Sequence, residues 1–174
     1  MKYSDIYRLY STSQPKDAIH QALREVPVDD SDEQYEDRSP LHLACQYGDA
    51  EGVKILLERD AEPNTKDANG STPIHILGRT SAGRADEDKL KEIAVMLMEH
   101  GANIPRSAKN TTALIECVRN RHFKMAEAII NSGTRVNSTD LNGENVLFGF
   151  CAASGDIRRD IRFAKKELDE SVQY

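Results

Sequence analysis

Five histidines, three cysteines and one dense run of carboxylates are the residues whose types could do chemistry. A zinc site needs Cys or His ligands at short, regular spacing, whereas Cys45, Cys117 and Cys151 stand far apart with no C-x-x-C pair. His20, His100 and His122 show neither H-E-x-x-H nor a Cys-His spacing suited to a metal, and there is no Gly-x-Ser-x-Gly elbow to present a nucleophilic serine. No catalytic set, metal or cofactor is expected. An odd number of distant cysteines also speaks against a disulfide framework, so the expected use of all three thiols is buried packing.

Two segments keep some chemical interest. Gly78-Arg79-Thr80-Ser81-Ala82-Gly83-Arg84-Ala85 has the glycine spacing of a phosphate-binding loop, but Arg84 and Ala85 stand where Lys and Ser/Thr must reach phosphate and magnesium. It reads as a flexible extension, after which Asp86, Glu87 and Asp88 put acids at the start of a helix, where the dipole favours them. Residues 29–37 hold six acids in nine positions. Calcium would require oxygen ligands at alternate positions and a glycine bend, so a solvated loop is expected, with contact to a basic partner as the alternative. An enzyme or regulatory subunit with a ligand site in 78–88 or 29–37 is the second functional reading.

The elements that would carry these residues are legible in composition and spacing. The 174 residues carry 23 Lys+Arg against 29 Asp+Glu, a net charge of −6, and no basic run exceeds two residues. A general nucleic-acid binder is thereby disfavoured, since phosphate neutralisation needs a cationic surplus on one face. No apolar run approaches the roughly 20 residues that cross a bilayer, and the start lacks a secretory h-region, so neither a membrane nor an exported protein is expected. Trp is absent and aromatics make up 6%, leaving Leu, Ile, Val and Ala to build a core of helices on helices.

Self-similarity is the main signal. Ser39-Pro40-Leu41-His42 returns after 33 residues as Thr72-Pro73-Ile74-His75, after 40 more as Thr112-Ala113-Leu114-Ile115, and after another 33 as Asn145-Val146-Leu147-Phe148. The longer middle interval accommodates the segment from Gly78 to Lys89. Apolar runs at residues 53–57, 93–98 and 125–130 repeat within the units. Each ends in a turn where Asp60, Gly101 or Gly133 supplies the left-handed conformation that stops a helix. Asp67-Ala68-Asn69-Gly70 and Asp140-Leu141-Asn142-Gly143 then supply β-turn chemistry. Each unit is two short helices and a turn, and neither helix can bury its apolar stripe alone.

The Gly70-x-Thr72-Pro73-Ile74-His75 run, the Leu56-Leu57 pair, the His100-Gly101-Ala102-Asn103 turn and the 33-residue period together resemble the ankyrin repeat family. The expected fold is all-α, an ankyrin-type solenoid of helix-turn-helix units joined by β-turn loops. One domain spans 1–174, with a cap unit at 1–33, central repeats at 34–66, 67–106 and 107–139, and a last repeat and cap helix at 140–174. Pro15 and Pro27 bound the second helix of the first cap. Ile157, Ile161, Ala164 and Leu168 give the final helix one dry side.

The resemblance implies that His42 and His75 stiffen the stack by hydrogen bonds between adjacent turns. It also implies a concave strip whose variable positions here are Tyr35, Arg38, Gln46, Tyr47, Lys66, Asn69, Arg79, Lys109, Arg119, Asn120, Leu141 and Glu144. Tyr and Arg are the types that dominate interface energetics. Lys66, Arg79, Lys109 and Arg119 would make the strip more basic than the net charge suggests. The expected function is a non-catalytic adaptor, scaffold or inhibitor gripping another protein, one with an acidic patch being a fit. The chain is expected to act as a monomer in the cytoplasm, without nucleic acid or membrane.

Overall fold

Three of the first helices begin just after a Ser or Thr, and the reason is local chemistry. Ser39, Thr72 and Thr112 have extended backbones, ψ being 164°, 166° and 155°, and the helices start at the next residue. Proline fills that first helical position after Ser39 and Thr72, where no N–H is needed. The computed structural model describes residues 1–80, 86–104 and 112–133. Among these the order is α1 (Tyr3–Ser11), α2 (Lys16–Glu25), a 3-10 turn (Glu33–Tyr35), α3 (Pro40–Gln46), α4 (Ala50–Leu57), α5 (Pro73–Gly78), α6 (Glu87–Glu99), α7 (Ala113–Arg119) and α8 (Phe123–Asn131). No strand occurs among the described residues.

These helices pair as hairpins α1–α2, α3–α4, α5–α6 and α7–α8, and the hairpins stack in two layers. First helices meet first helices, α1 on α3, α3 on α5 and α5 on α7. Second helices do likewise, α2 on α4, α4 on α6 and α6 on α8. The interior is aliphatic, as the lack of Trp demands: Ile6, Leu23, Leu41, Leu56, Ile74, Leu77, Ile93, Leu97 and Leu114 are fully buried. This is the helix-turn-helix solenoid anticipated from the period.

The turns keep a strict register. Within hairpins, the left-handed residue is Ser13, Gly48 or Arg121; after second helices it is Asp60, Gly101 or Gly133. The latter close with backbone bonds such as Ala61 N to Leu56 O at 3.0 Å and Ala102 N to Leu97 O at 2.9 Å. The predicted turn at 67–70 is present, with Gly70 N donating to Asp67 O at 2.8 Å and the Asp67 carboxylate accepting from Asn69 N and Ser71 N.

Pro15 precedes α2 and Pro27 follows its end, as expected, and Arg59 from α4's far end donates to Leu23 O and Val26 O at 2.5 and 2.8 Å, capping it. The spacing of Ile6 and Leu9, then of Ala18, Ile19, Ala22, Leu23 and Val26, predicts an apolar-striped helix pair here, and two details differ from it. Ala18 is exposed because it lies about 100° round the helix from Ile19, off the stripe of Ile19, Ala22 and Leu23. Tyr3 and Tyr10 join Ile6 on α1's inner side, while Leu9 is only half-buried. Gly78 also belongs to α5 and Asp86 caps α6, so the interruption is shorter than residues 78–89 suggested. The fourth motif at Asn145, the Asp140–Gly143 turn, Cys151 and the helix from Ile157 lie outside the described residues, as do residues 81–85.

Candidate functional site

Each histidine among the described residues is held by specific hydrogen bonds. His42 Nδ1 accepts from Ser39 N at 3.2 Å and lies 2.9 Å from the Ser39 hydroxyl, so its proton sits on Nε2, which donates to Ser71 O of the next unit at 3.0 Å. Burial, outweighing that bond, lowers its pKa from 6.5 to about 4, so the ring is neutral at physiological pH. His75 repeats the inner half, its Nδ1 2.9 Å from the Thr72 hydroxyl. His122 Nε2 donates to Thr80 O at 2.6 Å, joining the fourth hairpin to the third. That role was missed in the sequence because residue 115, the motif position in that unit, is Ile, and the stacking bond is supplied from seven residues later instead.

His20 completes a polar cluster at the joint between the first two hairpins. Its Nε2 lies 3.0 Å from both oxygens of buried Asp49, and Tyr10 donates its hydroxyl to Asp49 Oδ2 at 2.8 Å. Gly52 makes the room: a Cβ there would stand 2.6 Å from Asp49 Oδ2 and 2.9 Å from the Tyr10 oxygen. Asp49, Tyr10 and Gly52 carried no sequence motif; only alignment of the hairpin turns places them together. No group of three or more His, Cys, Asp or Glu able to hold a metal occurs among the described residues. Cys45 and Cys117 are fully buried and burial pushes both thiols well up, which makes thiolate chemistry unfavourable.

The positions named for the concave strip divide into anchors and open surface. Arg38 pairs with Glu36 at 2.5 Å, lies 3.5 Å from Asp67 and donates to Gln46 at 3.0 Å. Arg79 pairs with Glu116 at 3.1 Å and donates to the Ser71 hydroxyl at 3.0 Å. One rule underlies both: the residue before the Ser/Thr cap bonds the residue eight further on, with the arginine first in one unit and second in the next. Asn120 donates to Gly78 O at 3.1 Å and to Glu116 O at 2.9 Å, bracing α7 against α5. Tyr47 stacks on Tyr10 with centroids 4.8 Å apart, and Tyr35 lies against Tyr3 and Tyr7. Lys66 and Arg119 are exposed and Asn69 is half-buried. Lys109, Leu141 and Glu144 lie outside the described residues.

The acidic loop is partly structural. Asp30 accepts from Tyr3 N at 2.7 Å at the head of α1, Asp32 caps the 3-10 turn through Gln34 N at 2.9 Å, and Glu36 O accepts from Ala68 N at 2.8 Å, linking successive turn tips. The acids opening α6 reach across to the next hairpin: Glu87 accepts from Phe123 N at 3.2 Å and Asp88 pairs with Lys124 at 2.7 Å. On the side of the second-helix starts, two open clefts of about 330 and 280 Å³ share Lys16, Gly48, Asp49 and Lys89. The larger also carries Glu51 and Glu92 beside Lys54, so its charges are mixed.

Residues 22–77 match the family model described as ankyrin repeats, many copies. The chain is 34% identical over 133 residues to the neurogenic locus notch homolog protein 1 of Xenopus tropicalis, covering 76% of this chain and 5% of the relative. It is 38% identical over 69 residues to a transient receptor potential cation channel subfamily A member 1 homolog of Caenorhabditis elegans, covering 40% of this chain and 6% of the relative. The ankyrin repeat protein nuc-2 of Neurospora crassa is 28% identical over 124 residues, covering 70% and 10%. The chain thus spans a tenth or less of the length of these relatives.

Proposed function

The chain belongs to the ankyrin repeat family, whose repeats are protein–protein interaction modules, and from that premise we propose that it is a non-catalytic module binding a protein partner through its concave face. The supporting observation is how the stack spends its surface. Both helical layers use their dry faces against the neighbouring hairpin, and Met1 is the only large exposed hydrophobic among the described residues. What is left for recognition is polar and continuous, made of turn tips and the open sides of first helices. In this reading the chain acts as an adaptor, scaffold or inhibitor, monomeric and in a reducing compartment such as the cytosol. No helix among the described residues is long and apolar enough to cross a membrane.

Because Tyr47 and Arg79 are packing anchors, replacing them would confound binding with stability. Lys66→Glu with Arg119→Glu reverses charge at exposed positions of the strip, and Lys54→Glu with Glu127→Lys does so on the second-helix side. Affinity capture from native extract, followed by mass spectrometry, should lose its specific partner with the first pair and keep it with the second. The opposite pattern would overturn the concave-face assignment.

A further inference from the structure

The first hairpin presents a row of tyrosines. Tyr3, Tyr7 and Tyr10 fall on one side of α1, and Tyr35, from the 3-10 turn, lies 4.3 Å from Tyr7 and 5.6 Å from Tyr3, tilted by 36° and 49°. Tyr7 and Tyr35 are only half-buried. The Tyr3 hydroxyl beside them is buried and has no hydrogen-bond partner, although Tyr3 is just 1% exposed. Burial raises the pKa of that hydroxyl, Arg38 lowers it, and Tyr7, Tyr35 and Asp32 raise it further. The half-buried rings of Tyr7 and Tyr35 are the part of this cluster that a partner can reach, and their π-electrons favour a cation.

The charge around it is predominantly negative. Residues 1–11 and 29–38 carry seven carboxylates against Lys2, Arg8 and Arg38. Arg8 pairs with Asp5 and Arg38 with Glu36, whereas Asp29 and Glu33 face solvent. Of the cations expected to make the strip basic, Arg79 is paired with Glu116, and at this end Arg38 lies 3.5 Å from Asp67. An acidic partner therefore meets repulsion at this end, and a cationic one meets carboxylates and ring faces together.

We propose that this end of the concave strip docks a Lys/Arg-bearing segment of the protein partner, with its cationic heads over Tyr7 and Tyr35 and against Glu33 and Asp37. The proposal rests on the concave-face reading and adds the partner's chemistry to it. Fluorescence anisotropy with a labelled nine-residue peptide of alternating Arg and Gly, beside its Glu–Gly counterpart, tests it on the full chain. The Arg peptide binds about tenfold or more tightly than the Glu peptide and weakens as salt rises. Tyr7→Leu lowers its affinity about three- to fivefold, and Tyr7→Phe, which keeps the ring, stays within about twofold. Glu33→Gln with Asp37→Asn, at positions outside the core, lowers affinity about threefold and flattens the salt dependence.

Equal binding of the two peptides overturns the proposal, as does unchanged affinity in a Tyr7→Leu protein with a native melting midpoint. The Lys66→Glu, Arg119→Glu variant separates it from the broader reading. Loss of native-partner capture in that variant, with no preference for the Arg peptide in the parent, sinks the cationic-segment proposal alone. A preserved peptide preference with capture unaffected sinks the concave-face assignment.

Discussion

Single residues here decide stability through where their polar atoms end. His42 binds a proton at about 4 in the folded chain against 6.5 for an ordinary imidazole, so the unfolded chain takes up the proton first as pH falls. Its contribution is complete above pH 6.5 and is lost progressively toward pH 4, amounting to about 3 kcal/mol in all. Urea midpoints measured from pH 7.5 down to 5 should fall more steeply in the parent than in a His42→Asn variant. Gly52→Ala drives a methyl group into Asp49, Leu23 and Tyr10 and should destabilise by about 1–3 kcal/mol, read by denaturant unfolding, with the His20–Asp49–Tyr10 cluster displaced. The two cases differ in legibility. His42 stood in a repeated motif and its bond to the next unit was expected from the resemblance. Gly52 stood in an unremarkable helix, because the need for a missing side chain arises from a neighbouring hairpin 39 residues away in sequence from Tyr10 to Asp49.

At the scale of elements, the turns carry the register. Arg121 occupies the left-handed place that Gly48 fills in the first full unit, with φ of 65° against 61°. A non-glycine residue is strained there, so Arg121→Gly should raise stability by about 0.5–1 kcal/mol in thermal unfolding. Asn64 joins consecutive turns, donating to Gly101 O at 2.9 Å and accepting from Asn103 N at 2.7 Å. Asn64→Ala removes both bonds and should cost about 1–2 kcal/mol, with faster amide exchange at Asn103. Helix starts at Ser39, Thr72 and Thr112, and the ends at Asp60, Gly101 and Gly133, could be read from the chain because capping depends on a few adjacent residues. The strip was harder. Arg38 and Arg79 have the composition of interface residues, but the carboxylates that hold them, Asp67 and Glu116, come from the following unit. Aligning residues eight apart across units would have revealed half of that network, namely Arg38 with Gln46 and Arg79 with Ser71.

For the whole molecule, stability is a sum over hairpins and their interfaces, so the first hairpin is an essential cover rather than an appendage. Removing residues 1–32 would strip α1 and α2 from α3 and α4, expose buried Leu41, Val53 and Leu56, and leave Arg59 without the carbonyls of Leu23 and Val26. The truncated chain should melt well below the parent or aggregate; an unchanged midpoint would mean the hairpin is independent. The same economy bears on the proposed function, in which a stack whose dry faces are consumed internally would recognise partners by its open first-helix side. Site-specific photo-crosslinking in native extract tests that claim most directly. A crosslinking side chain at Lys66 or Asn69 should trap one partner protein, and one at Glu58 or Glu127 on the second-helix side should trap none; crosslinks arising only from Glu58 or Glu127 would contradict the account.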